Sequence, residues 1–358
     1  MLAIASSGEL GGAELSLLTF LARRPPRIEP SVLILGDGPL RERLVALGVP
    51  VLTEPGLAAR PTARTAAGFA FRLRRVLREL RPQVVWAVGI KAATLSVGPC
   101  RTARTPMLWH KVDLSHDGRV ARALAAASSG VVAVSEATAA GLGGDRHLLG
   151  VVGPALELDP DLVAEPDPEH PVIGSVGRLV PYKGHHLVVA SAGLLLDEFP
   201  GLRVVLAGPP DPKHPEYAAQ LDRAIADAGL DGRVELPGFV PVATVLRRLS
   251  VYVNATYRDE RGYGLEGLGA SMIEASWAGV PVVAAAGGGV EEVVVPGTTG
   301  TVVPSPEPEL LADAVRAYLR DPELAARTGA AGRALVRDRF DPGKTVERVV
   351  ALLDQAAN

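Results

Sequence analysis

Short runs of apolar, β-branched residues alternate along the whole chain with stretches whose apolar residues recur at helical spacing. Most of the runs are continuously apolar, which is typical of strands in a sheet that is covered on both faces. Helical segments between such strands form βαβ units and therefore parallel sheets. The pattern predicts strands at 31–35, 83–88, 106–110, 130–135, 172–177, 202–208, 233–238, 251–255 and 280–286.

One segment interrupts this alternation. Residues 154–171 (PALELDPDLVAEPDPEHP) are acidic and rich in proline, without a useful period, as is typical of a linker. A chain of 358 residues also exceeds one ordinary domain. We therefore predict a first Rossmann-like domain over 1–153, a second over 172–340, and a last amphipathic helix over 341–358 that packs back on the first domain.

The predicted class is α/β, with two doubly wound Rossmann-like domains facing across a cleft. Open sheets of this kind bind ligands beyond the carboxyl ends of their strands, so chemistry is expected on the loops that follow strands. The single cysteine, Cys100, excludes an intramolecular disulfide and suits a reducing compartment. The first residues lack the features of a signal peptide, and no run reaches the ~18 apolar residues of a spanning helix. A cytoplasmic protein is expected.

Charge is distributed unevenly along the chain. Residues 1–153 hold 19 basic against 11 acidic residues, and residues 154–358 hold 18 against 29. Within the basic part, RLRRVLRELR (72–81) places Leu73, Val76, Leu77 and Leu80 on one helical face among five arginines. Two interpretations remain open: a helix that lies on an anionic membrane surface, or an ordinary crossover helix with solvated arginines.

Two glutamates stand out in the apolar stretch EGLGASMIEASWAGVPVV (266–283). Glu266 is predicted in the loop before a helix that starts near Ala270, and Glu274 about one turn inside that helix. An unpaired buried carboxylate costs several kcal/mol, so Glu274 needs hydrogen-bond donors. These would come from a serine, a backbone turn or the hydroxyls of a ligand; a satisfied structural glutamate is the alternative.

Two cations follow a predicted strand in GSVGRLVPYKG (174–184). Arg178 and Lys183 lie on the loop between this strand and the next helix. A planar guanidinium, a mobile ammonium and a nearby helix N-terminus together suit a diphosphate. Two solvated loop cations are the alternative interpretation.

The first domain offers weaker candidates. Gly11 and Gly12 form a turn between a very short strand and a helix, which permits close backbone approach. His110 is predicted where a strand ends, and so it should face the cleft. The sequence lacks the dinucleotide fingerprint GxGxxG, a Walker A motif, a nucleophile elbow and metal-ligand spacing. Neither a metal nor a nucleic-acid partner is therefore expected.

Taken together, these stretches resemble glycosyltransferase family 4 (group 1), the retaining sugar-nucleotide transferases of GT-B fold. The resemblance rests on the glutamate pair in EGLGASMIE, on the AGVPVVAAAGGGVEE that follows, on GRLVPYKG, on GGAE at 11–14 and on His110. Three features depart from the family pattern: VGPALELD replaces its usual NGVD, HK stands at 110–111, and 257–265 form a polar insert. These departures bear on the acceptor more than on the donor.

The resemblance implies specific roles. Arg178 and Lys183 would neutralise the donor diphosphate, Glu274 would bind the ribose hydroxyls, and Glu266 would contact a hydroxyl of the transferred sugar. The remaining implied donor contacts come from backbone or from the first domain: Leu268, Gly269, Ala270, Val240, Gly12 and His110.

The implied function is retaining transfer of a hexosyl unit from a UDP- or GDP-sugar to a hydroxyl acceptor, without a cofactor or an obligatory metal. The acceptor (a glycan, a lipid-linked or a small molecule) and the oligomeric state are left open. A hydrolysing nucleotide-sugar epimerase and a catalytically inactive nucleotide-sugar-binding protein are the alternatives. A Rossmann oxidoreductase is disfavoured because the glycine fingerprint is missing.

Overall fold

The protein is described from a computed structural model that covers residues 1–58, 61–144, 146–260, 262 and 264–357. Contacts divide the chain into two compact units. The N-terminal unit comprises Met1–Glu157 together with Phe340–Asn358, and the C-terminal unit comprises Leu158–Arg339. No helix in the described part of the chain combines the length and the apolar character needed to span a bilayer.

The N-terminal unit is built on a seven-stranded parallel sheet with the order β3-β2-β1-β4-β5-β6-β7. Its strands are β1 Leu2–Ala5, β2 Ser31–Ile34, β3 Val51–Thr53, β4 Val85–Val88, β5 Met107–Lys111, β6 Gly130–Ala133 and β7 Leu148–Val151. Its helices are α1 Gly12–Arg23, α2 Pro39–Ala46, α3 Ala63–Leu80, α4 Ile90–Ala103, α5 Arg119–Ala127, α6 Glu136–Ala140 and, at the C-terminus, α14 Pro342–Ala357.

Helices cover both faces of this sheet. On one face α1 and α14 pack with Trp86 and Leu108 in one apolar cluster; on the other, α3 and α4 pack with Trp109 in a second. Continuous apolar runs such as Leu2–Ala5 are fully buried because each successive side chain enters one of these two clusters.

The C-terminal unit is built on a six-stranded parallel sheet with the order β10-β9-β8-β11-β12-β13. Its strands are β8 Val172–Val176, β9 Arg203–Ala207, β10 Val234–Glu235, β11 Val251–Asn254, β12 Val282–Ala285 and β13 Gly300–Val303. Its helices are α7 His185–Gly193, α8 Glu216–Asp227, α9 Val242–Leu246, α10 Ala270–Trp277, α11 Val290–Val293, α12 Pro308–Arg320 and α13 Pro322–Arg339. Two 3₁₀ turns, Pro55–Leu57 and Pro181–Lys183, complete the elements of the two units.

The predicted α/β class is confirmed, because both sheets are parallel and doubly wound. In each sheet the strand order reverses between the first strand and the fourth, which places a switch point between β1 and β4 and another between β8 and β11. Three strands escape the sequence pattern: β3, β7 and β13. The first two are edge strands with mostly half-exposed residues, so they lack the continuous apolar run of a buried strand.

The segment predicted as a linker is divided at Glu157 rather than forming a separate stretch. Beyond that point it packs on the C-terminal unit: the Trp277 indole N–H donates to the Asp159 carbonyl at 2.7 Å, and the Ala164 N–H donates to the Ala278 carbonyl at 2.8 Å. This segment is therefore held by specific hydrogen bonds, although it is rich in proline and acidic residues.

The apolar face of α3 belongs to the core of its unit. Phe69, Leu73 and Leu77 are buried in the cluster beneath the helix, and Val76 packs against it, whereas Leu80 at the end of the helix is 46% exposed. The structure therefore supports the crossover-helix interpretation and corrects the idea that this apolar face lies on lipid.

Candidate functional site

The candidate site lies at the switch point of the C-terminal sheet. Strands β8 and β11 pair at only two positions, Ile173 with Val251 and Gly174 with Tyr252. Beyond these two positions each strand stays paired only with its outer neighbour: β8 pairs with β9 up to Val176, and β11 pairs with β12 up to Asn254. The two central strands thus separate at their carboxyl ends, where a doubly wound sheet opens its ligand crevice.

Glu266 is held at this edge by three donors. The Lys183 ammonium lies 2.5 Å from its Oε1, the Thr256 hydroxyl donates to the same oxygen at 2.8 Å, and the Asn254 amide donates at 3.1 Å. All three bonds end on Oε1, and no described residue donates to Oε2. The second oxygen can therefore accept a further hydrogen bond without a change in this cluster.

The electrostatics of the cluster keep Glu266 ionised. Burial raises the pKa of this carboxyl, but the Lys183 charge and the three hydrogen bonds outweigh burial and bring the pKa below its usual range. Lys183 and Glu266 are both largely shielded from solvent, so each charge depends on the other.

Arg178 is held beside the same loop by a second carboxylate. Its Nη1 donates to Asp211 Oδ2 at 2.8 Å, and its Nη2 lies 3.4 Å from the Tyr182 hydroxyl. Asp211 is buried and fixed in turn by the Lys213 N–H at 2.9 Å, whereas the Arg178 side chain is 52% exposed. The bond to Asp211 therefore fixes the orientation of the Arg178 guanidinium, while part of the group remains accessible to solvent.

The turn from this loop into α7 depends on Gly184. Its φ of +68° lies in the left-handed region, and a Cβ there would collide with the Ala255 carbonyl at the end of β11. Behind the turn, the buried His185 ring bonds the Arg178 carbonyl at 3.1 Å, and burial lowers its pKa to about 4. The cation loop is thus packed tightly against both central strands.

The helix α10 begins where the sequence predicts. Gly269 precedes it with φ +95°, Leu268 is buried just before it, and Ala270 is its first residue. No side chain caps its N-terminus. Free backbone N–H groups and the positive end of the helix dipole suit an anionic group here.

Glu274 lies one turn inside α10. No described residue donates a hydrogen bond to its carboxyl group, and burial raises its pKa to about 7. A carboxyl group in this environment is satisfied by hydroxyl donors from elsewhere. Of the two interpretations of Glu274, a satisfied structural glutamate thus lacks its internal donor among the described residues.

Val240 lies farther along the same edge, in the loop between β10 and α9, two strands away from β8. The predicted site residues of the C-terminal unit thus divide into a bonded core, Lys183 with Glu266, and surrounding positions on separate loops. The surrounding positions Arg178, Glu274 and the start of α10 follow β8 or β11, the same two strands that the core residues follow.

In the N-terminal unit, Gly12 is exposed and opens α1 after β1, as predicted. Strand β5 ends at Lys111, one residue later than predicted, so His110 is its last residue but one. His110 is only 5% exposed, and its ring stacks 5.8 Å from Trp86. Burial lowers its pKa to about 4, and its Nε2 has no partner among the described residues.

Sequence reasoning missed several polar residues that shape the site. Asn254, Thr256 and Asp211 act as partners of the predicted residues, and Tyr252 with Ser271 lies between them. One local signal was present: polar residues end the apolar run VYVNAT at the carboxyl end of β11. In the polar insert 257–265, Arg261 and Tyr263 lie outside the described residues. No group of His, Cys, Asp or Glu with the makings of a metal site occurs in the described part of the chain.

Comparison with known proteins agrees with this geometry. Residues 163–335 match the family described as Glycosyl transferases group 1. The chain is 34% identical over 190 residues to a GDP-mannose-dependent alpha-(1-6)-phosphatidylinositol monomannoside mannosyltransferase of Mycolicibacterium smegmatis, which covers 52% of this chain and 48% of that protein. It is 33% identical over 174 residues to the lipopolysaccharide core biosynthesis mannosyltransferase LpcC of Rhizobium leguminosarum bv. viciae, covering 48% and 47%. The chain thus spans about half the length of the curated relatives it matches.

Solved structures share the fold over nearly the whole chain. Anabaena Alr3699/HepE in complex with UDP and glucose superposes with a TM-score of 0.83 at 23% identity, covering 99% of this chain and 98% of that one. Sucrose-phosphate synthase of Thermosynechococcus elongatus gives 0.79 at 18% identity, with coverage of 99% and 98%. At these identities the likeness is one of fold, and it extends over 99% of this chain. The part of this chain that carries the candidate site thus matches the family described as Glycosyl transferases group 1.

Proposed function

We propose that this protein is a retaining hexosyltransferase of family 4 that uses a UDP- or GDP-sugar as donor and a hydroxyl group as acceptor. One observation carries the proposal: cations, an uncapped helix and a carboxyl group without a donor among the described residues lie on the loops and helix that follow the two central strands, within the family match. A nucleotide-sugar donor is supported by the GDP-mannose-dependent relative of M. smegmatis and by the complex of HepE with UDP-glucose.

In this proposal the donor is bound along the carboxyl edge of the C-terminal sheet. Arg178, Lys183 and the N–H groups at Gly269 and Ala270 neutralise the diphosphate, and Glu274 accepts from the ribose hydroxyls. The free Oε2 of Glu266 accepts from a hydroxyl of the transferred sugar. The loop at Val240 holds the base, and Gly12 and His110 belong to the acceptor-side unit.

The chemistry asked of these residues is stabilisation of a departing diphosphate. Fixed cations and helix amides lower the energy of that leaving group, and this electrostatic effect is large in a shielded site. Lys183 holds Glu266 Oε1 at 2.5 Å, so Glu266 is committed to a charge pair rather than presented as a free nucleophile. We therefore favour front-face attack, in which the leaving phosphate helps to take the acceptor proton, with retained configuration and no obligatory metal.

A donor panel tests the proposal most directly. The purified protein is incubated with UDP-, GDP- and ADP-sugars, with and without EDTA, and release of the nucleoside diphosphate is followed. We expect hydrolysis or transfer with sugar donors of one nucleoside diphosphate only. This activity should be unaffected by EDTA and abolished in Lys183→Ala. Donor binding without turnover would favour the inactive binding protein, and release of a free epimerised sugar would favour the hydrolysing epimerase.

The stereochemical part has its own test. Proton NMR of the first product formed from an α-linked donor should show an α-glycoside. A β-linked product would refute retention while leaving the donor site intact.

We also propose that this cytoplasmic protein contacts an anionic membrane through α3 and acts on a lipid-linked acceptor. Phe71 is 68% exposed on the helix face opposite the core. Arginines at positions 64, 74, 75 and 78 lie on the same side of the helix, together with Ala67. An exposed aromatic ring among cations suits insertion into an anionic headgroup layer. The names of the mannosyltransferase relatives, which include phosphatidylinositol mannosides, support this choice.

Liposome sedimentation tests the membrane contact. The wild type should sediment with vesicles that contain phosphatidylglycerol and remain unbound with pure phosphatidylcholine. Phe71→Ser should bind markedly less, whereas Val45→Ser, a control at a residue 61% exposed on α2, should bind as the wild type. Equal behaviour with both vesicle types would contradict the proposal.

A further inference from the structure

The gap between the two central strands of the C-terminal sheet contains one buried hydroxyl. Tyr252 is completely buried, and its backbone pairs with Gly174 at the last shared position of β8 and β11. Its hydroxyl reaches along β8 to Val176, with the Val176 N–H at 3.4 Å and the Val176 carbonyl at 3.3 Å. The side chain thus bridges the strands where their backbone pairing has ended.

The same hydroxyl also bonds the first turn of α10. The Tyr252 OH donates to Ser271 Oγ at 2.7 Å, the shortest of its three contacts, so its single proton is directed to Ser271. Burial, followed by the negative charges of Glu266 and Glu274, raises the pKa of Tyr252, so the hydroxyl keeps that proton.

These contacts connect the two halves of the proposed diphosphate site. Val176 is two residues before Arg178 on one side, and Ser271 is two residues after Gly269 on the other. No side chain caps α10, so the position of its N-terminus relative to the cation loop depends on packing and on this hydroxyl. We propose that Tyr252 is a positioning residue that sets the distance between the Arg178–Lys183 loop and the N-terminus of α10.

This inference rests on the proposed transferase function and adds a residue to it. A displacement of one half of the site weakens the stabilisation of charge that develops on the leaving group more than it weakens donor binding. The Tyr252→Phe variant removes only the hydroxyl. We expect kcat to fall about tenfold, while the donor KM changes less than about threefold.

A matched control is available in the same unit. Tyr318 is also buried, and its hydroxyl bonds Thr301 Oγ1 at 3.0 Å, away from the switch point. Tyr318→Phe should also lose stability to urea, because it too loses the hydrogen bonding of a tyrosine hydroxyl, yet its kcat should stay within twofold of the wild type.

A double-mutant cycle with Ser271 completes the test. Ser271→Ala should reproduce the loss of kcat, Ser271→Thr should retain most of the activity, and the double variant should be no worse than either single one. Wild-type kcat in Tyr252→Phe, or losses that multiply in the double variant, would overturn the inference alone. A wild type without turnover on any donor would overturn the proposed function as well.

Discussion

The two sheets of this protein share one strand order around their switch points, yet their carboxyl edges differ. In the N-terminal unit, β1 and β4 stay paired through Ala5 and Val88, the last residues of both strands. Ser6 then closes the edge: its hydroxyl donates to the Val88 carbonyl at 2.6 Å and accepts from the Ala92 N–H at 3.1 Å. In the C-terminal unit, β8 and β11 separate after two pairs.

The difference shows that strand order alone does not make a binding site. Where the central strands remain paired, their backbone N–H and C=O groups bond to one another, and the Ser6 hydroxyl bonds the groups that remain at the edge. Where they separate, side chains must satisfy the edge, and the chain supplies Tyr252 and Asn254 from β11 and Thr256 from two residues beyond it. Cations and carboxylates then have a crevice with polar walls, which is what a charged ligand requires.

The largest expected effect is at Lys183. Replacement of Lys183 by Ala removes one proposed diphosphate ligand and the counter-charge of Glu266. We expect turnover to fall by about 100-fold or more, as when a preorganised charge is removed from an active site. Steady-state kinetics with the preferred donor, alongside circular dichroism to verify the fold, measure the loss.

The control for this variant is Lys213→Ala, because Lys213 is an exposed lysine of the same unit. It should keep wild-type turnover. A Lys183→Ala variant that retains more than about a tenth of the activity would show that the bonded cluster is structural, and the C-terminal edge would then resemble the N-terminal one in function.

Glu274 should produce an intermediate effect on binding. Glu274→Gln keeps the size of the side chain but weakens acceptance from two ribose hydroxyls. We expect donor affinity, measured by calorimetry at pH 8, to fall by about tenfold, the scale of a charged hydrogen bond. Unchanged affinity would place the nucleoside elsewhere.

The same carboxyl group predicts a pH dependence of stability. Burial raises its pKa to about 7, above the ~4.3 of an unfolded chain, so the folded state binds this proton more tightly. The contribution to stability is complete below the unfolded pKa and is lost as the pH rises to about 7. The free energy of unfolding of Glu274→Gln relative to the wild type should therefore increase from pH 5 to pH 8. A constant difference across that range would contradict the shift.

The smallest expected effect concerns the closed edge of the N-terminal sheet. Ser6→Ala leaves the Val88 carbonyl and the Ala92 N–H without their partner, which should cost about 1–2 kcal/mol of unfolding free energy. Urea unfolding measures it, with Ser7→Ala as the control, because Ser7 accepts only a solvent-exposed hydrogen bond from the Glu9 N–H. Donor affinity should stay within twofold, because this edge is closed by backbone pairing; a large loss of donor affinity would instead assign ligand binding to it.

Much of the fold could be predicted from the sequence because buried parallel strands have a local signature. The apolar runs at 83–88 and 251–255 become β4 and β11, and the glycines around 267–269 do precede α10. Edge strands such as β3 and β7 were missed because half-exposed residues lack that signature. The end of β5 was predicted one residue too early, at His110, because an apolar run does not show at which residue a strand leaves its neighbours.

The candidate site was predictable as a set of residues but not as a set of bonds. Arg178, Lys183 and Glu266 were predicted as site residues because they lie on glycine-bounded loops after strands. Glu274 was predicted because it is a lone carboxylate in the apolar helix that follows one of these loops. Only the tertiary structure showed that Lys183 pairs with Glu266, that Arg178 pairs with Asp211, and that Glu274 has no described donor.

By itself, then, the sequence determined the alternation of strands and helices, the parallel class and the chemical types available at the loops, because each depends on residues close together in the chain. The tertiary structure alone decided which carboxylate holds which cation and where a hydroxyl bridges β8, β11 and α10. Those contacts join residues 19 to 83 positions apart, and they depend on where two strands stop pairing. That divergence is a property of the assembled sheet, to which distant segments contribute together.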